Sequence, residues 1–516
     1  SRAPPQSPPI AHSTIQQFNN FVGMLPLEIS IGLRYNEKES FGTKDRTIVQ
    51  EEVIIMGVSG AVMVPHPPII IPDIGKGEEK KIQGTIDAYH QAARRIASWK
   101  PDTIVLLSPH QIMYGDYFHI SPGTEAHGDF GQFGAGSVAI DVTYDTEFVE
   151  ELCRQVQAQG LKAGTLGEKE KRLDHGTMVP LYFVNQYWKD YQLVRIGLSG
   201  LMPTMHYELG QCIQETANIL GRNIAVIGSG DLSHRLKEDG PYGYQKEGPE
   251  FDRRIMEVMG SGDFEELLKF PEDFCETAGE CGHRSFIIMA GTLDRMAVKA
   301  QKLSYEGPFG VGYGVCCYEA VGTDEKRNFL DRYEESEKRE LLARHAREDA
   351  YVALARRTIE EYVKTGVMIQ VPKDLPKELY DSRAGAFVSI KEDGRLRGCI
   401  GTIEASYESL AEEIINNAVS ACSRDPRFSP VEPKELEKLV ITVDVLGKME
   451  QITSLEELDV KRYGVVVSKD SRRGLLLPNL AGVNSVEQQV TIAMQKAGIG
   501  EQETVAVERF EVVRHE

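Results

Sequence analysis

The sequence predicts an α/β protein in which a mainly parallel sheet, sandwiched by helices, is followed by a smaller α+β domain. Two observations support this fold class. From Val58 to about Gly322, short apolar runs alternate with helical patterns, and after about residue 345 helices alternate with paired strands. Strand–helix alternation is typical of a parallel sheet with helices on both faces. A chain of 516 residues is also too long for one ordinary core.

Six apolar runs are the candidate strands of the first domain. They are bounded by turn residues and are rich in Val, Ile and Leu, as buried strands are. They cover residues 58–64, 103–108, 137–143, 191–198, 223–228 and 311–320. Residues 78–100 and 204–222 have the apolar spacing of helices that cover a sheet. We expect this domain to span residues 57–322.

Three other segments complete the chain. Residues 1–55 begin with a polar, proline-rich stretch, so we expect a disordered leader. Glu51, Glu52 and Val53 can be encoded by a purine-rich stretch resembling a ribosome-binding site, so we expect the native protein to begin at Met56. Residues 323–344 are highly charged and predict a helical linker. Residues 345–516 predict helices with an antiparallel sheet, including a hairpin that turns at Glu392-Asp393-Gly394.

The composition narrows the class of partner. The formal net charge is -20, which argues against a nucleic-acid partner because binding phosphate needs a basic surface. The eight cysteines include no C-x-x-C pair and are typical of reduced thiols, so we expect a cytoplasmic protein. No apolar run reaches the roughly 20 residues of a membrane span, so we expect no membrane partner.

Three histidines follow the ends of predicted strands. His66 lies in "VPHPP", His110 in "LLSPH" and His234 in "SGDLSH". The carboxyl ends of parallel strands face one crevice, so we expect the three imidazoles to lie close together. One such histidine is more often a core residue, but three at equivalent positions favour a shared site. Pro65 and Pro67 would hold His66 on a rigid support.

Two further stretches carry groups that would complete such a site. "RLDHGTMVPLYF" contains Asp174 and His175, and "AGECGHRSF" contains Glu280, Cys281 and His283. Two imidazoles and a carboxylate form the ligand set that non-haem Fe(II) prefers, with open positions for substrate and oxygen. A thiolate in the third position would favour zinc or copper, or iron in an unusual site.

These motifs resemble those of a known family. "MVPHPP", "LLSPH", "DHGTMVPL", "SGDLSH" and "ECGH", in this order, resemble the class III extradiol dioxygenase (LigB) superfamily, and most closely its Memo-like branch. The resemblance covers about residues 57–320 and implies a catechol-like aromatic substrate with Fe(II) as the metal, copper or zinc being alternatives. It implies metal ligands at His66 and His110, with the third ligand from Glu280 or Cys281.

The resemblance also implies the roles of the other residues. His234 is expected as the acid/base, work that suits an imidazole that titrates near neutrality. His175 and Asp231 are expected to line the site. His175 would hydrogen-bond substrate or oxygen, and Asp174 would orient its ring.

The second domain resembles another family. "GRLRGCIGTIEA", "SRDPRFSPVEPKEL" and "GLLLPNLAG" resemble the AMMECR family over about residues 345–512. Its candidate site contains Cys399 and Arg397. Cys399 is either a reactive thiol activated by Arg395 and Arg397 or a small buried residue.

Two functions stay open. The fusion of the two domains resembles the AmmeMemoRadiSam system, which implies a radical-SAM protein as a partner. The chain itself lacks a C-x3-C-x2-C cluster motif. The first hypothesis is a metal-dependent, dioxygenase-like oxidoreductase. The second is a non-catalytic metal-binding or adaptor protein that acts with a radical-SAM enzyme. A metal-dependent hydrolase is a weaker third, since no residue is placed as a clear nucleophile.

Overall fold

The computed structural model describes residues 57–169, 172–480, 482–500 and 502–516. The predicted disordered leader and the predicted start at Met56 lie outside the described residues. Among the described residues, no helix is both long enough and apolar enough to cross a membrane.

The first part of the chain contains ten strands and nine helices within the described residues. The strands are β1 (Gly57–Val64), β2 (Thr103–Ser108), β3 (Phe118–His119), β4 (Glu125–Phe130), β5 (Ala135–Thr143), β6 (Ala163–Gly164), β7 (Gln192–Gly197), β8 (Asn223–Ser229), β9 (Met296–Glu306) and β10 (Tyr313–Thr323). The helices are α1 (Pro72–Gly75), α2 (Gln83–Trp99), α3 (Thr146–Ala158), α4 (His175–Val184), α5 (Pro203–Leu220), α6 (Glu247–Ser261), α7 (Glu272–Ala278), α8 (His283–Gly291) and α9 (Phe329–His345).

Six of these strands form the main sheet, in the order β7-β2-β8-β1-β10-β9. Strands β7, β2, β8 and β1 are parallel to one another, whereas β10 and β9 continue the sheet as an antiparallel edge. The predicted α/β class with a mostly parallel sheet is therefore confirmed.

Helices cover both faces of the main sheet. Along β2, Ile104 and Leu106 pack into one apolar cluster with α2 and α4, while Val105 and Leu107 pack into the other with α3, α5 and α8. A strand buried on both faces is a continuous apolar run, which is why these strands were recognisable in the sequence.

Two sequence interpretations of the first domain need correction. The predicted strand 137–143 does not join the main sheet, because β5 pairs with β4 in a separate two-stranded sheet. Several of its residues are exposed, as in a strand covered on one side only. Strand β9 was missed because it is an edge strand with alternating polar residues that are partly exposed.

The rest of the chain forms the second domain. Its strands are β11 (Ala386–Glu392), β12 (Arg395–Gly401), β13 (Leu439–Leu446), β14 (Glu450–Gln451), β15 (Tyr463–Lys469), β16 (Arg472–Leu476) and β17 (Ala506–His515). Its helices are α10 (Ala350–Thr365), α11 (Lys377–Asp381), α12 (Leu410–Ser423) and α13 (Val486–Lys496). The strand order is β12-β11-β13-β17-β15-β16, with β14 beside β17. All of these pairings are antiparallel, which confirms the predicted sheet type.

The β11–β12 hairpin turns where the sequence predicted. Asp393 and Gly394 both have positive φ, 49° and 77°. Two successive positive values are typical of the type I′ turn that joins antiparallel strands. Beside this turn, Arg395 makes an ion pair at 2.7 Å with Glu272 at the start of α7 in the first domain. The hairpin therefore contacts the helix that leads into the loop of Glu280 and Cys281.

Candidate metal centre

His66 lies at the carboxyl end of β1, between Pro65 and Pro67. Its side chain is 1% exposed. Its backbone N–H donates to Asp231 Oδ1 at 2.7 Å, across from the neighbouring strand β8. The prolines stop the strand, and the Asp231 carboxylate fixes the backbone that carries the imidazole.

The hydrogen bonds of His66 define which ring nitrogen faces the site. Nδ1 lies 2.9 Å from Ser229 Oγ, and the Ser229 hydroxyl donates to the carbonyl of Gly176 at 2.6 Å. A hydroxyl has one hydrogen, so Ser229 Oγ must accept from Nδ1–H. The lone pair of His66 is therefore on Nε2. Burial lowers the pKa of His66 well below its ordinary value, and the nearby His110 adds to this effect, so the ring is neutral.

His66 Nε2 is one of three possible metal-ligand atoms that lie close together. His110 follows β2, and its Nε2 lies 2.9 Å from His66 Nε2. Cys281 Sγ lies 3.6 Å from the same nitrogen. The three ligand atoms are all within 4.8 Å of one another, a spacing that suits a shared metal ion.

Glu280, the alternative third ligand, is turned away from these histidines. Its carboxylate accepts the backbone N–H of His283 at 2.6 Å, at the start of α8. Consecutive residues here face opposite ways, and the amino-terminal end of a helix attracts a carboxylate. Among the described residues, the structure therefore places the thiol of Cys281, rather than a carboxylate, beside His66 and His110.

Two glycines allow Cys281 to reach this position. A Cβ added to Gly230 would lie 2.1 Å from the Cα of Gly282, so the loop after β8 touches the loop before α8 through bare backbone. Across this contact, the Asp231 N–H donates to Cys281 Sγ at 3.3 Å and the Cys281 N–H donates to the Asp231 carbonyl at 3.3 Å. The sulfur is thus held by backbone groups next to His66.

His175 lies against His110. It begins helix α4, and the two ring centroids are 4.0 Å apart with an interplanar angle of 33°. Burial, and then the charge of His110, lower the pKa of His175 to about 4, so this ring is neutral at pH 7. The ring of Phe133 contacts it edge-on at 5.5 Å and provides an apolar wall.

Asp174 was expected to orient the ring of His175, but its described hydrogen bonds go elsewhere. Its Oδ1 accepts from Ser108 Oγ at 2.6 Å and from the Thr177 N–H at 2.9 Å. Asp174 is the N-cap of α4, because the chain enters the helix in an extended conformation at this residue. Its carboxylate ties the end of β2 to the start of α4, and so supports His110 and His175 indirectly.

His234 is held in a defined tautomer. Its Nδ1 donates to the Gly279 carbonyl at 2.5 Å, which leaves the lone pair on Nε2. Burial lowers the pKa of His234, so it is a neutral base at pH 7.

Two residues of this site were missed in the sequence. Ser108 and Ser229 are the last residues of β2 and β8, and both are fully buried. Ser229 holds His66, and Ser108 Oγ accepts the backbone N–H of His110 at 3.2 Å. A serine that ends an apolar strand just before a histidine motif was the available signal.

The candidate site of the second domain differs from its sequence interpretation. Arg397 pairs with Glu435 at 2.7 Å, and Arg395 pairs with Glu272, so neither cation is directed at Cys399. Cys399 is half-buried, and its Sγ accepts a hydrogen bond from the Ser389 hydroxyl at 3.2 Å. The cation that contacts it is Arg427, which donates to the Cys399 carbonyl at 3.2 Å.

Comparison with known proteins identifies both parts of the chain. Residues 60–316 match the family described as the catalytic LigB subunit of aromatic ring-opening dioxygenase, and residues 352–515 match the AMMECR1 family. The protein CA_C1420 of Clostridium acetobutylicum is 40% identical over 468 residues, covering 89% of this chain and 99% of that protein. A Thermotoga maritima protein is 49% identical over 170 residues, covering 33% of this chain and 98% of that protein. Both resemblances seen in the sequence are thereby confirmed.

Two crystal structures are also similar to parts of this chain. The uncharacterized protein PH0010 of Pyrococcus horikoshii is 36% identical with a TM-score of 0.30, covering 32% of this chain and 88% of that protein. The uncharacterized protein JW3007 of Escherichia coli K12 is 13% identical with a TM-score of 0.33, covering 50% of this chain and 99% of that protein.

The geometry predicts which residues bind a metal at this centre. His66→Ala, His110→Ala and Cys281→Ser should each lose most of the iron loaded under anaerobic conditions, while Glu280→Ala should retain it, because its carboxylate faces away. Iron is measured by plasma mass spectrometry, and circular dichroism checks that each variant folds. Full iron occupancy in one of the first three variants would remove that residue from the ligand set.

The contact between the two glycines can be tested separately. Gly230→Ala should lower the free energy of unfolding by about 1–3 kcal/mol, the usual cost of overpacking, and should weaken iron binding because Cys281 is displaced. Gly260→Ala is the matched control, since its added Cβ would lie 3.5 Å from the nearest atom, Lys302 Cβ. Urea denaturation and iron retention are the measurements. If Gly230→Ala has the same free energy of unfolding and retains as much iron as the wild type, the close contact between the two backbones is contradicted.

Proposed function

Because the chain belongs to the family that joins a LigB-type domain to an AMMECR1 domain, we propose that its first domain is a metal-dependent oxidoreductase. The observation that carries this proposal is the convergence of His66 Nε2, His110 Nε2 and Cys281 Sγ at the carboxyl ends of parallel strands. That is the edge of an open α/β sheet where ligands bind.

The residues present fit a bound transition metal. Neutral His66 presents an unprotonated Nε2, and its other nitrogen is held by Ser229, as is usual for a histidine ligand. Burial raises the pKa of the Cys281 thiol well above its usual value, so this thiol would lose its proton on binding a metal, and the Asp231 N–H that donates to Sγ would then stabilise the thiolate. Two imidazoles and a thiolate suit copper or zinc as well as iron. Fe(II) is the proposed metal, with copper or zinc as alternatives.

The remaining residues suggest how the site would work. A bound metal would supply Lewis-acid or redox chemistry next to the substrate. His234, with a lone pair on Nε2 and its Nδ1–H held by Gly279, would take a proton from a phenolic hydroxyl and return it later. Neutral His175 would hydrogen-bond the substrate, and Phe133 would pack against an aromatic ring. A small catechol-like compound is the proposed substrate class.

One observation favours a second function. The third ligand atom is a thiol, whereas the ligand set best suited to oxygen activation by Fe(II) contains a carboxylate. This difference favours a non-catalytic metal-binding or adaptor protein over a dioxygenase, and we propose a radical-SAM enzyme as the partner of such an adaptor.

Oxygen uptake distinguishes the two functions. Protein purified anaerobically is analysed for metal and then mixed with a panel of catechols in an oxygen electrode cell. Metal-dependent oxygen consumption, abolished in His66→Ala, supports the oxidoreductase. A stoichiometric metal with no consumption, together with co-purification of a radical-SAM protein from a host that produces both, supports the adaptor.

The role of His234 predicts a separation of binding from turnover. His234→Ala should keep its metal and lose about 10²–10⁴-fold in turnover, the usual contribution of a general acid or base. His127→Ala is the control, since this imidazole is exposed and pairs with Asp141, which is outside the site. Loss of metal in His234→Ala would instead make His234 a ligand.

A further inference from the structure

A second group of metal-ligating side chains lies directly behind the loop of Cys281. It consists of Cys275 on α7, Glu280 in the loop and His283 at the start of α8. One ligand atom from each of these residues lies within 4.8 Å of the other two, and Cys275 Sγ is 3.8 Å from His283 Nδ1. None of the three has a role in the function proposed above.

The ring of His283 is oriented as metal-binding histidines are. Its Nε2 lies 2.8 Å from the carbonyl of Leu267 and must donate to it. The lone pair is therefore on Nδ1, the nitrogen that faces Cys275. A backbone carbonyl that holds one ring nitrogen while the other meets the metal is the usual support of a histidine ligand.

Glu280 keeps the capacity to bind an ion although it caps a helix. Its carboxylate accepts the N–H of His283, but an ionised carboxylate has about four acceptor positions. Cys275 is 7% exposed and His283 is 4% exposed.

We propose that Cys275, Glu280 and His283 bind a second divalent ion of the zinc class. A thiolate and a carboxylate balance the two positive charges, and sulfur, nitrogen and oxygen are all ligand types that zinc accepts. Cys275 and His283 flank the short segment 276–282 and Glu280 lies within it, so the ion would tie α7 to α8. The competing explanation is a helix cap next to a weak thiol–imidazole hydrogen bond.

The inference does not rest on the proposed function, and its test removes the first centre altogether. The full chain carrying His66→Ala, His110→Ala and Cys281→Ser is stripped with a chelator and titrated with Zn²⁺ and with Co²⁺. One ion per chain is expected, with a thiolate-to-cobalt charge-transfer band in the Co²⁺ form. Absence of a bound ion in this folded variant would overturn the proposal.

Variants in the same background assign the ligands. Cys275→Ser should abolish the charge-transfer band and weaken binding by more than the about 10–100-fold that loss of a supporting residue costs. Cys212→Ser, which removes a buried thiol of α5 that is outside the group, should leave the band unchanged. An unchanged band in Cys275→Ser would overturn the proposal. If circular dichroism shows that Cys275→Ser does not fold, the affinity for Zn²⁺ is measured in Glu280→Gln and in His283→Gln instead. An affinity equal to that of the parent variant in both would overturn the proposal.

Discussion

The metal centre depends on the contact between the backbones of Gly230 and Gly282. Strand β8 ends two residues before Asp231, and α8 begins one residue after Gly282. Because there is no side chain between the two loops, the Cys281 N–H donates to the Asp231 carbonyl, and the Asp231 N–H donates to the Cys281 sulfur. The first bond fixes the backbone of Cys281, and the second holds its thiol beside His66.

The parallel part of the sheet provides the other half of the site. Strands β1, β2 and β8 are neighbours and end at the same edge. Each end supplies a group to the site: an imidazole after β1, another after β2, and a serine hydroxyl at the end of β8. The antiparallel edge strands β9 and β10 add none of the ligand atoms, although they extend the core beneath α2. The chemistry therefore lies where three carboxyl ends meet.

The sequence predicted those parts of this arrangement that depend on the local pattern of apolar and polar residues. Continuous apolar runs identified the buried parallel strands, and the structure brings together His66 and His110, which follow two of them. The place of His234 in the site stays a prediction. Pattern failed for β9, whose partly exposed edge position makes its residues as polar as those of a loop. It also failed for Asp174, since the same Asp–His pair can support a ring or cap a helix. Only the path of the chain into α4 decides between these two roles.

The choice between Glu280 and Cys281 was beyond any sequence pattern, because the two residues are adjacent and both types ligate metals. Helix α8 decides it, since its first N–H groups attract the carboxylate and leave the thiol facing His66.

The three candidate ligands together set the charge of the proposed centre. Two neutral imidazoles and one thiolate carry a single negative charge, so a divalent ion would leave one positive charge among these ligands unless the neighbouring Asp231 is ionised. His66 is buried, Cys281 is partly buried and His110 is exposed, so this charge would be open to a substrate. In the proposed oxidoreductase, a deprotonated phenolic substrate would supply a balancing negative charge, which makes substrate binding and proton removal by His234 parts of one electrostatic balance. A monovalent ion such as Cu(I) would leave no charge to compensate, and that state is the one in which an adaptor would hold its metal without substrate.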